Sequence, residues 1–291
     1  MLNIFKRKPK VKKERTVSVV REYFELIVEV LIYVFFVNTF LLQSFVIPTG
    51  SMENTMLIGD HLLVSKVAYS RSISHFENIL LPQVKIQRGM IVTFKAPPSA
   101  PNDYSEDPFL WEAFLNWINN ENNLDLTPYP ASSKEYVKRV IGLPGDSIRI
   151  ENKNVFINEK LINEPYAYLK FDGNNSINIF PPESNNDWAY TFPHRFYNSF
   201  VNTKQGKAFK IPKDYCFCMG DNRNNSYDCR FWGPVPADYI LGKPWRIYWS
   251  YESNSDEYLT PGFIYKIKDL ALTLVRFFSH TRWDRTVKAI K

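Results

Sequence analysis

Residues 135–150 read Glu135-Tyr136-Val137-Lys138-Arg139-Val140-Ile141-Gly142-Leu143-Pro144-Gly145-Asp146-Ser147-Ile148-Arg149-Ile150. The first seven are rich in β-branched and aromatic side chains, which suit a pleated, half-buried surface. Pro144-Gly145 then supplies a turn, with glycine taking the positive φ that a type II turn requires. Ser147–Ile150 is a second strand returning from that turn. Strand, tight turn and strand in immediate succession set the expectation for the body: mostly β, closely punctuated.

Working outward, the same grammar recurs. His61–Tyr69 and Met90–Lys95 are strand-like, and each follows a turn signal, Gly59-Asp60 and Arg88-Gly89. Strands resume near Tyr215–Met219. Residues 97–135 are an irregular, proline-rich insertion. Within it Asp107-Pro108 reads as the N-cap and first position of a short helix carrying Leu110, Trp111, Phe114, Leu115 and Ile118. Trp111 and Trp117 suit either a membrane interface or a packed core. Residues 151–210 read as a second β lobe, with a loop rich in Asn and Pro over 173–187. The 19 prolines of the chain fit this turn-rich reading better than a helical bundle.

Upstream of the body, Val30–Met52 carries no charged residue over 23 positions. A helix needs about 20 such residues to cross a bilayer. Residues 1–15 hold seven Lys or Arg against one Glu. A cleaved leader would have a shorter apolar core and a small-x-small cleavage site. The stretch therefore reads as a retained transmembrane helix over 21–47, behind a basic tail over 1–20. Glu25 and Glu29 lie toward the headgroups. The positive-inside rule keeps the tail cytoplasmic and puts the residues after it outside the cell membrane.

At the other end, Ile264, Ile267, Leu270, Leu274 and Phe278 recur at helical spacing on one face. Residues 263–291 thus read as an amphipathic basic helix, expected to pack on the body rather than lie on a membrane surface. Residues 266–291 carry seven Lys or Arg and two Asp. The chain as a whole is +6, so the part between the two basic tails is net negative. That argues against a nucleic-acid-binding body, which needs a basic face of its own. It suits tails that touch an anionic lipid surface.

The three cysteines, Cys216, Cys218 and Cys229, do not make a disulfide framework. Cys216 and Cys218 fall on one face of a strand and read as small buried hydrophobes. No spacing in the chain supports a metal site. The four histidines stand in no Ser-His-Asp pattern, and neither a zinc helix nor a nucleotide-binding glycine loop appears. No cofactor is expected.

Ser51 alone is a serine in a Pro-Thr-Gly turn, and Lys138 alone is a strand lysine. Four stretches taken in order give them meaning. These are Pro48-Thr49-Gly50-Ser51-Met52-Glu53-Asn54-Thr55-Met56; Gly59 to Tyr69; Lys138-Arg139-Val140-Ile141-Gly142-Leu143-Pro144-Gly145-Asp146; and Gly220-Asp221-Asn222-Arg223-Asn224-Asn225-Ser226-Tyr227-Asp228-Cys229-Arg230-Phe231-Trp232-Gly233. In this order, behind one helix, they resemble the boxes of bacterial type I signal peptidases, the leader peptidases.

The resemblance implies a two-lobed β domain with a Ser-Lys catalytic core, tethered by one N-terminal transmembrane helix. The catalytic core would span 48–150 and 211–262. Ser51 would be the nucleophile and Lys138 the general base. The Ser51 N–H and the Thr49 hydroxyl would form the oxyanion hole, with Thr49 where the family more often has Ser. Ser226 and Asp228 would support the lysine. Phe45, Ile47, Pro48, Met56, Leu62, Tyr136 and Val137 would line shallow pockets for small side chains. The implied activity is removal of signal peptides from exported precursor proteins after a small-x-small motif. The implied partners are those precursors, membrane lipid and the protein-export translocation machinery.

The chemistry needs these residue types. A serine hydroxyl is a weak nucleophile until a base takes its proton. A lysine can be that base only if burial keeps it neutral. Two donors aimed at the developing oxyanion complete an acyl-transfer site.

Overall fold

A computed structural model describes residues 19–66, 85–97, 135–169, 179–182, 192–254 and 263–290. The basic tail, the end of the second box at Val67–Tyr69, the insertion with Trp111 and Trp117, and most of the 173–187 loop lie outside the described residues. The chain divides into two compact units, 1–40 and 41–291.

The first unit contributes helix α1, Val19–Phe36, none of whose residues is buried. It runs on into a π-helical turn, Val37–Leu41. The expected helix over 21–47 therefore stops at Leu41, and Leu42–Val46 is strand β1. Every residue of β1 pairs with strand β2, Asp60–Ser65, from Leu42 opposite Ser65 to Val46 opposite His61. Ladder bonds to a neighbour outweigh helix continuation here, and Ser44 adds a 2.8 Å hydrogen bond to the Tyr248 hydroxyl. Arg21, Glu22, Glu25 and Glu29 all fall within α1. Among the described residues no helix is long and apolar enough to cross a membrane.

The second unit is mostly β, as the sequence predicts. The remaining strands are β3 (Ile91–Lys95), β4 (Glu135–Gly142), β5 (Ser147–Glu151), β6 (Asn154–Ile157), β7 (Lys160–Leu161), β8 (Ile179–Phe180), β9 (Phe200–Thr203), β10 (Gly206–Lys210), β11 (Tyr215–Met219), β12 (Val235–Pro236) and β13 (Ile240–Ser250). One sheet has the order β1-β2-β13-β3-β4-β11-β12. The other has the order β7-β6-β5-β10-β9, with β8 beside β5.

The expected hairpin over 135–150 is corrected in one respect. β5 does not fold back on β4. It pairs with β6, β8 and β10, so the chain changes sheets at the Pro144-Gly145 turn. The turn itself is as expected, with Gly145 at φ 86°. Its backbone is spent on residue 211: Gly145 N–H donates to Ile211 O at 2.9 Å, and Ile211 N–H returns to Asp146 O at 2.8 Å.

The main core lies under both sheets and holds Phe94, Val140, Ile141, Ile148, Phe180, Phe209, Phe217 and Trp232. Phe180 meets Phe192, Phe209 and Phe217 edge-on at 5.1–6.1 Å between ring centres. Such aromatic pairs add about 0.5–1.5 kcal/mol each beyond area burial. A smaller cluster, Ile47, Met52, Met56, Leu62, Ile91 and Ile247, lies beneath the loop that carries Ser51.

The C-terminal expectation is also corrected. A short helix α2, Cys229–Trp232, precedes β12, and helix α3 runs from Phe263 to His280 and stops there. Residues 281–290 are not helical. They lie along β13, with Ile247 N–H donating to Lys288 O and Ile290 N–H to Trp245 O. Over 271–280 the helix does not pack as expected: Leu274, Val275 and Phe278 are 69%, 84% and 80% exposed. Phe277 alone of its large apolar residues there turns inward, 5.8 Å from the rings of both Trp249 and Trp283.

Candidate active site

Ser51 sits in the loop between β1 and β2, on a single 3-10 turn, Gly50–Met52. The hairpin closes behind it through Ile47 N–H to Asp60 O and Gly59 N–H to Ile47 O, both 2.9 Å. Met52 and Met56 plug the smaller core and hold the loop down. Two side-chain anchors complete the mount. Thr55 donates to Asp221 Oδ2 at 2.6 Å. Asp60 is fully buried and accepts from Ser250 at 2.6 Å, from the Leu57 N–H at 2.8 Å and from Arg285 at 2.6 Å.

Lys138 arrives from β4. Its Nζ lies 2.6 Å from Ser51 Oγ, although 87 residues separate them in sequence. The residue is only 2% exposed. Burial drives the lysine pKa down to about 8; Asp228 opposes this and Arg230 assists it. A lysine at its ordinary value is about one part in several thousand neutral at pH 7, and one near 8 is about one part in ten. The contact distance suits transfer of the serine proton to that neutral amine. The Thr49 hydroxyl stands 3.5 Å from Ser51 Oγ, on the exposed rim.

The last box folds around this pair. Asp228 is completely buried and caps α2. Burial works against its charged form, but Arg230, bonded to it at 2.8 and 2.9 Å, outweighs that and lowers its pKa. Asp228 also accepts from the Gly220 N–H at 3.0 Å and from Ser226 at 2.7 Å. Ser226 therefore spends its hydroxyl on Asp228 rather than on the Lys138 amine.

Gly220 stands where nothing larger fits. A Cβ there would come within 2.3 Å of Ser226 Oγ and 2.5 Å of the Ser51 carbonyl oxygen. Gly220→Ala is expected to push Ser51 and Ser226 apart, lowering kcat/KM at least about 100-fold and costing about 1–3 kcal/mol in stability. Steady-state assay together with urea unfolding checks both. Wild-type activity in this variant would mean that Ser51 does not need its position.

A second buried network had no assigned role in the sequence reading. Arg139, next to Lys138, binds Asp221 bidentately at 2.8 and 2.7 Å and the Gly89 carbonyl at 2.7 Å. Its guanidinium lies 4.0 Å from the centre of the Tyr166 ring. Arg223 holds Glu164 at 2.8 and 2.5 Å. Removing one partner from such a pair costs about 3–5 kcal/mol, because a charge is left buried alone. The available signal was the density of charged residues in Gly220–Gly233, which could not have been fully solvated beside a β core.

The expected pocket residues divide. Ile47, Met56 and Leu62 belong to the smaller core, and Phe45 and Val137 pack against it. Met56 and Leu62 are fully buried, so they underlie a surface rather than line it. Pro48 is half-buried. Tyr136 shares a strand face with Lys138, its ring centre 5.9 Å from the Lys138 Nζ. Neighbours on a strand face opposite ways, and Tyr136 packs against Trp232 at 4.8 Å between ring centres.

Cys216, Cys218 and Cys229 are free, buried thiols, and burial pushes Cys216 up to about 12. Among the described residues no group of His, Cys, Asp or Glu is arranged to hold a metal ion.

The chain has relatives among known proteins. The profile of the family described as signal peptidase, peptidase S26, matches residues 20–249. Signal peptidase I of Haemophilus influenzae is 29% identical over 271 residues, covering 85% of this chain and 75% of its own. Signal peptidase I of Buchnera aphidicola subsp. Baizongia pistaciae is 30% identical over 282 residues, covering 83% and 79%. Signal peptidase I of Pseudomonas aeruginosa is 29% identical over 241 residues, covering 79% and 72%.

Proposed function

The chain belongs to the signal peptidase family, peptidase S26, and from that premise we propose that it is a membrane-anchored serine endopeptidase with a Ser51–Lys138 dyad. It removes N-terminal signal peptides from exported precursor proteins after a small-x-small motif. The observation that carries this reading is the 2.6 Å approach of a buried Lys138 Nζ to Ser51 Oγ.

Neutral Lys138 takes the Ser51 hydroxyl proton as Oγ attacks the scissile carbonyl carbon. The carbonyl oxygen becomes an oxyanion facing the Ser51 N–H and the Thr49 hydroxyl. Collapse breaks the peptide bond, and the Lys138 ammonium returns the proton to the leaving amine. The signal peptide is then held as an ester on Ser51. Lys138, neutral again, takes a proton from a water that attacks the ester carbonyl; as the ester bond breaks, the Lys138 ammonium returns that proton to Ser51 Oγ and the signal peptide leaves as a carboxylate. Asp228 and Ser226 hold the strand ends and the local charge balance around the amine.

The precursor lies as an extended strand beside residues 135–138 of β4. β11 pairs with β4 only from Arg139 onward. Alternate side chains of such a strand fall on one face. Small ones fit against Phe45, Ile47, Pro48 and Val137 above the Met56 and Leu62 floor. Tyr136, on the face of β4 that carries Lys138, stands beside the base with its ring centre 5.9 Å from Nζ.

Anchoring rests on the uncharged run from Val30 and the basic tail before it. The helical stretch Val19–Leu41 carries Arg21, Glu22, Glu25 and Glu29, so the reading rests on the uncharged run and the basic tail rather than on this helix alone. Its charges sit in the first half, toward the tail, and the tail stays cytoplasmic with the catalytic body outside. The exposed apolar residues of α3, within a basic C-terminal segment, suit contact with lipid. The export translocation machinery is the expected neighbour in the same membrane.

The test is cleavage of a precursor bearing Ala-x-Ala before the scissile bond, against the same precursor with the last Ala changed to Phe. The first is cut at that bond and the second is cut at least about 100-fold more slowly. Equal rates would overturn the specificity, and no cleavage of either would overturn the activity.

A further inference from the structure

The Ser51 N–H can serve an oxyanion only if the peptide that carries it is held one way round. That peptide joins Gly50 to Ser51. It is planar, so the Gly50 C=O and the Ser51 N–H point in opposite directions. Whatever fixes the carbonyl fixes the donor. Gly50 has no side chain to restrain it, and glycine tolerates either orientation of the following peptide. The restraint must come from elsewhere.

It comes from Asn222, a fully buried residue of the last box. Its Nδ2 donates to the Gly50 carbonyl at 3.2 Å and to Glu53 Oε2 at 3.2 Å. Its backbone N–H donates to the Ser51 carbonyl at 3.1 Å. One residue thus grips the carbonyl on each side of the nucleophile. The Glu53 N–H adds a second donor to Gly50 O at 3.0 Å, closing the 3-10 turn. Asn222 is in turn fixed by a bridge to Tyr168: Tyr168 N–H donates to Asp221 O at 2.7 Å, and Arg223 N–H donates to Tyr168 O at 2.9 Å. The Asn222 Oδ1 is buried and has no hydrogen-bond partner among the described residues. That costs stability, which is the signature of a side chain kept for its donor end.

We propose that Asn222 is a positioning residue for the oxyanion hole: by clamping the Gly50 and Ser51 carbonyls it locks the Gly50–Ser51 peptide with its N–H toward the substrate. The proposal rests on the Ser51 nucleophile reading above. Without the Asn222 amide the Gly50 carbonyl keeps only the Glu53 N–H as donor, and the glycine peptide turns over more readily and carries its own donor away. The Ser51–Lys138 contact does not pass through Asn222, so substrate binding and proton abstraction remain. What is lost is stabilisation of the tetrahedral intermediate.

The experiment compares wild type, Asn222→Ala and Asn222→Ser, the serine hydroxyl being too short to reach Gly50 O. Three readouts are taken: kcat and KM on an Ala-x-Ala substrate, inhibition by a peptide aldehyde that forms a tetrahedral adduct, and inhibition by an uncleavable peptide with Pro after the scissile bond. Both variants are expected to lose about 10- to 100-fold in kcat with KM within about twofold. Aldehyde affinity should fall in parallel, while the uncleavable peptide binds as before. Circular dichroism and urea unfolding confirm the fold, and if Asn222→Ala does not fold, Asn222→Ser is read alone. Equal weakening of both inhibitors, or an unchanged kcat in a folded variant, would overturn the proposal. Failure of wild type to cleave the substrate would instead overturn the nucleophile reading itself.

Discussion

Ser51→Ala is expected to lower kcat/KM on an Ala-x-Ala precursor by at least about 10⁴-fold while the protein folds normally. Removing one member of a nucleophile–base unit costs nearly as much as removing the whole unit. The fold has little stake in the hydroxyl. Ser51 holds its place through backbone bonds to Asn222 and through Met52 and Met56 in the core, and none of these uses Oγ. The residual rate comes from binding and from the two oxyanion donors, the residue-51 N–H and the Thr49 hydroxyl, both of which the substitution keeps. Single-turnover assay with purified protein measures it, and urea unfolding should give the same stability within about 0.5 kcal/mol. A variant retaining a tenth of wild-type activity would remove Ser51 from the mechanism.

The second large effect is the dependence on Lys138 and on pH. Burial brings its pKa down to about 8. The base form is the neutral amine, so kcat/KM should fall about tenfold per pH unit below that value and level off above it. Lys138→Met should lose about 10³- to 10⁴-fold, and Lys138→Arg should be as poor, since a guanidinium stays charged. Stability moves in the same direction as activity, but in a higher pH window. The folded pKa lies below the unfolded one of 10.5, so the unfolded chain binds more protons between pH 8 and 10.5. Stability from this group therefore rises with pH through that window and is at its lowest below about 8. Lys138→Met is accordingly expected to be more stable than wild type at pH 7, by up to about 3 kcal/mol. Measuring rate and urea midpoint across pH 5–10 in the two proteins separates these effects. An activity profile flat down to pH 6 would contradict a lysine base.

Much of the body was legible because its signals are local. Val137, Val140 and Ile141 with Gly142 and the Pro144-Gly145 turn announce β4 and its end, and the family resemblance read from the four boxes agrees with the profile match over 20–249. The path of the chain beyond the turn was not legible. Whether Ser147–Glu151 folds back or crosses to another sheet depends on Ile211, some 65 residues on, which takes the turn's bonds for itself. The uncharged run from Val30 misled in the same way. Hydropathy does not record that Leu42–Val46 has β2 waiting as a partner, so apolar residues that read as helix became strand. At the site, Ser51 and Lys138 came from their boxes. Arg139, Asp221 and Asn222 did not, although they stand in the same boxes, because their roles are defined by pairings across 82 or more residues. Tyr136 and Val137 show a smaller lesson: adjacency in a strand puts side chains on opposite faces, so Val137 packs on the smaller core while Tyr136 lies beside Lys138 and Trp232. On α3, helical spacing predicted a packed face, but the end of the chain lies along β13 and leaves Leu274, Val275 and Phe278 outside.

The central claim is that a neutral Lys138 makes Ser51 the nucleophile. It is tested most directly by reacting the full-length protein with an Ala-derived peptidyl phosphonate, which labels an activated serine, and mapping the label by peptide mass spectrometry across pH. The label is predicted on the peptide containing Ser51, at a rate that rises with pH to a plateau above about 8 and is lost in Lys138→Met. A label on another residue, or labelling of Ser51 at one rate across pH 6–10, would contradict it.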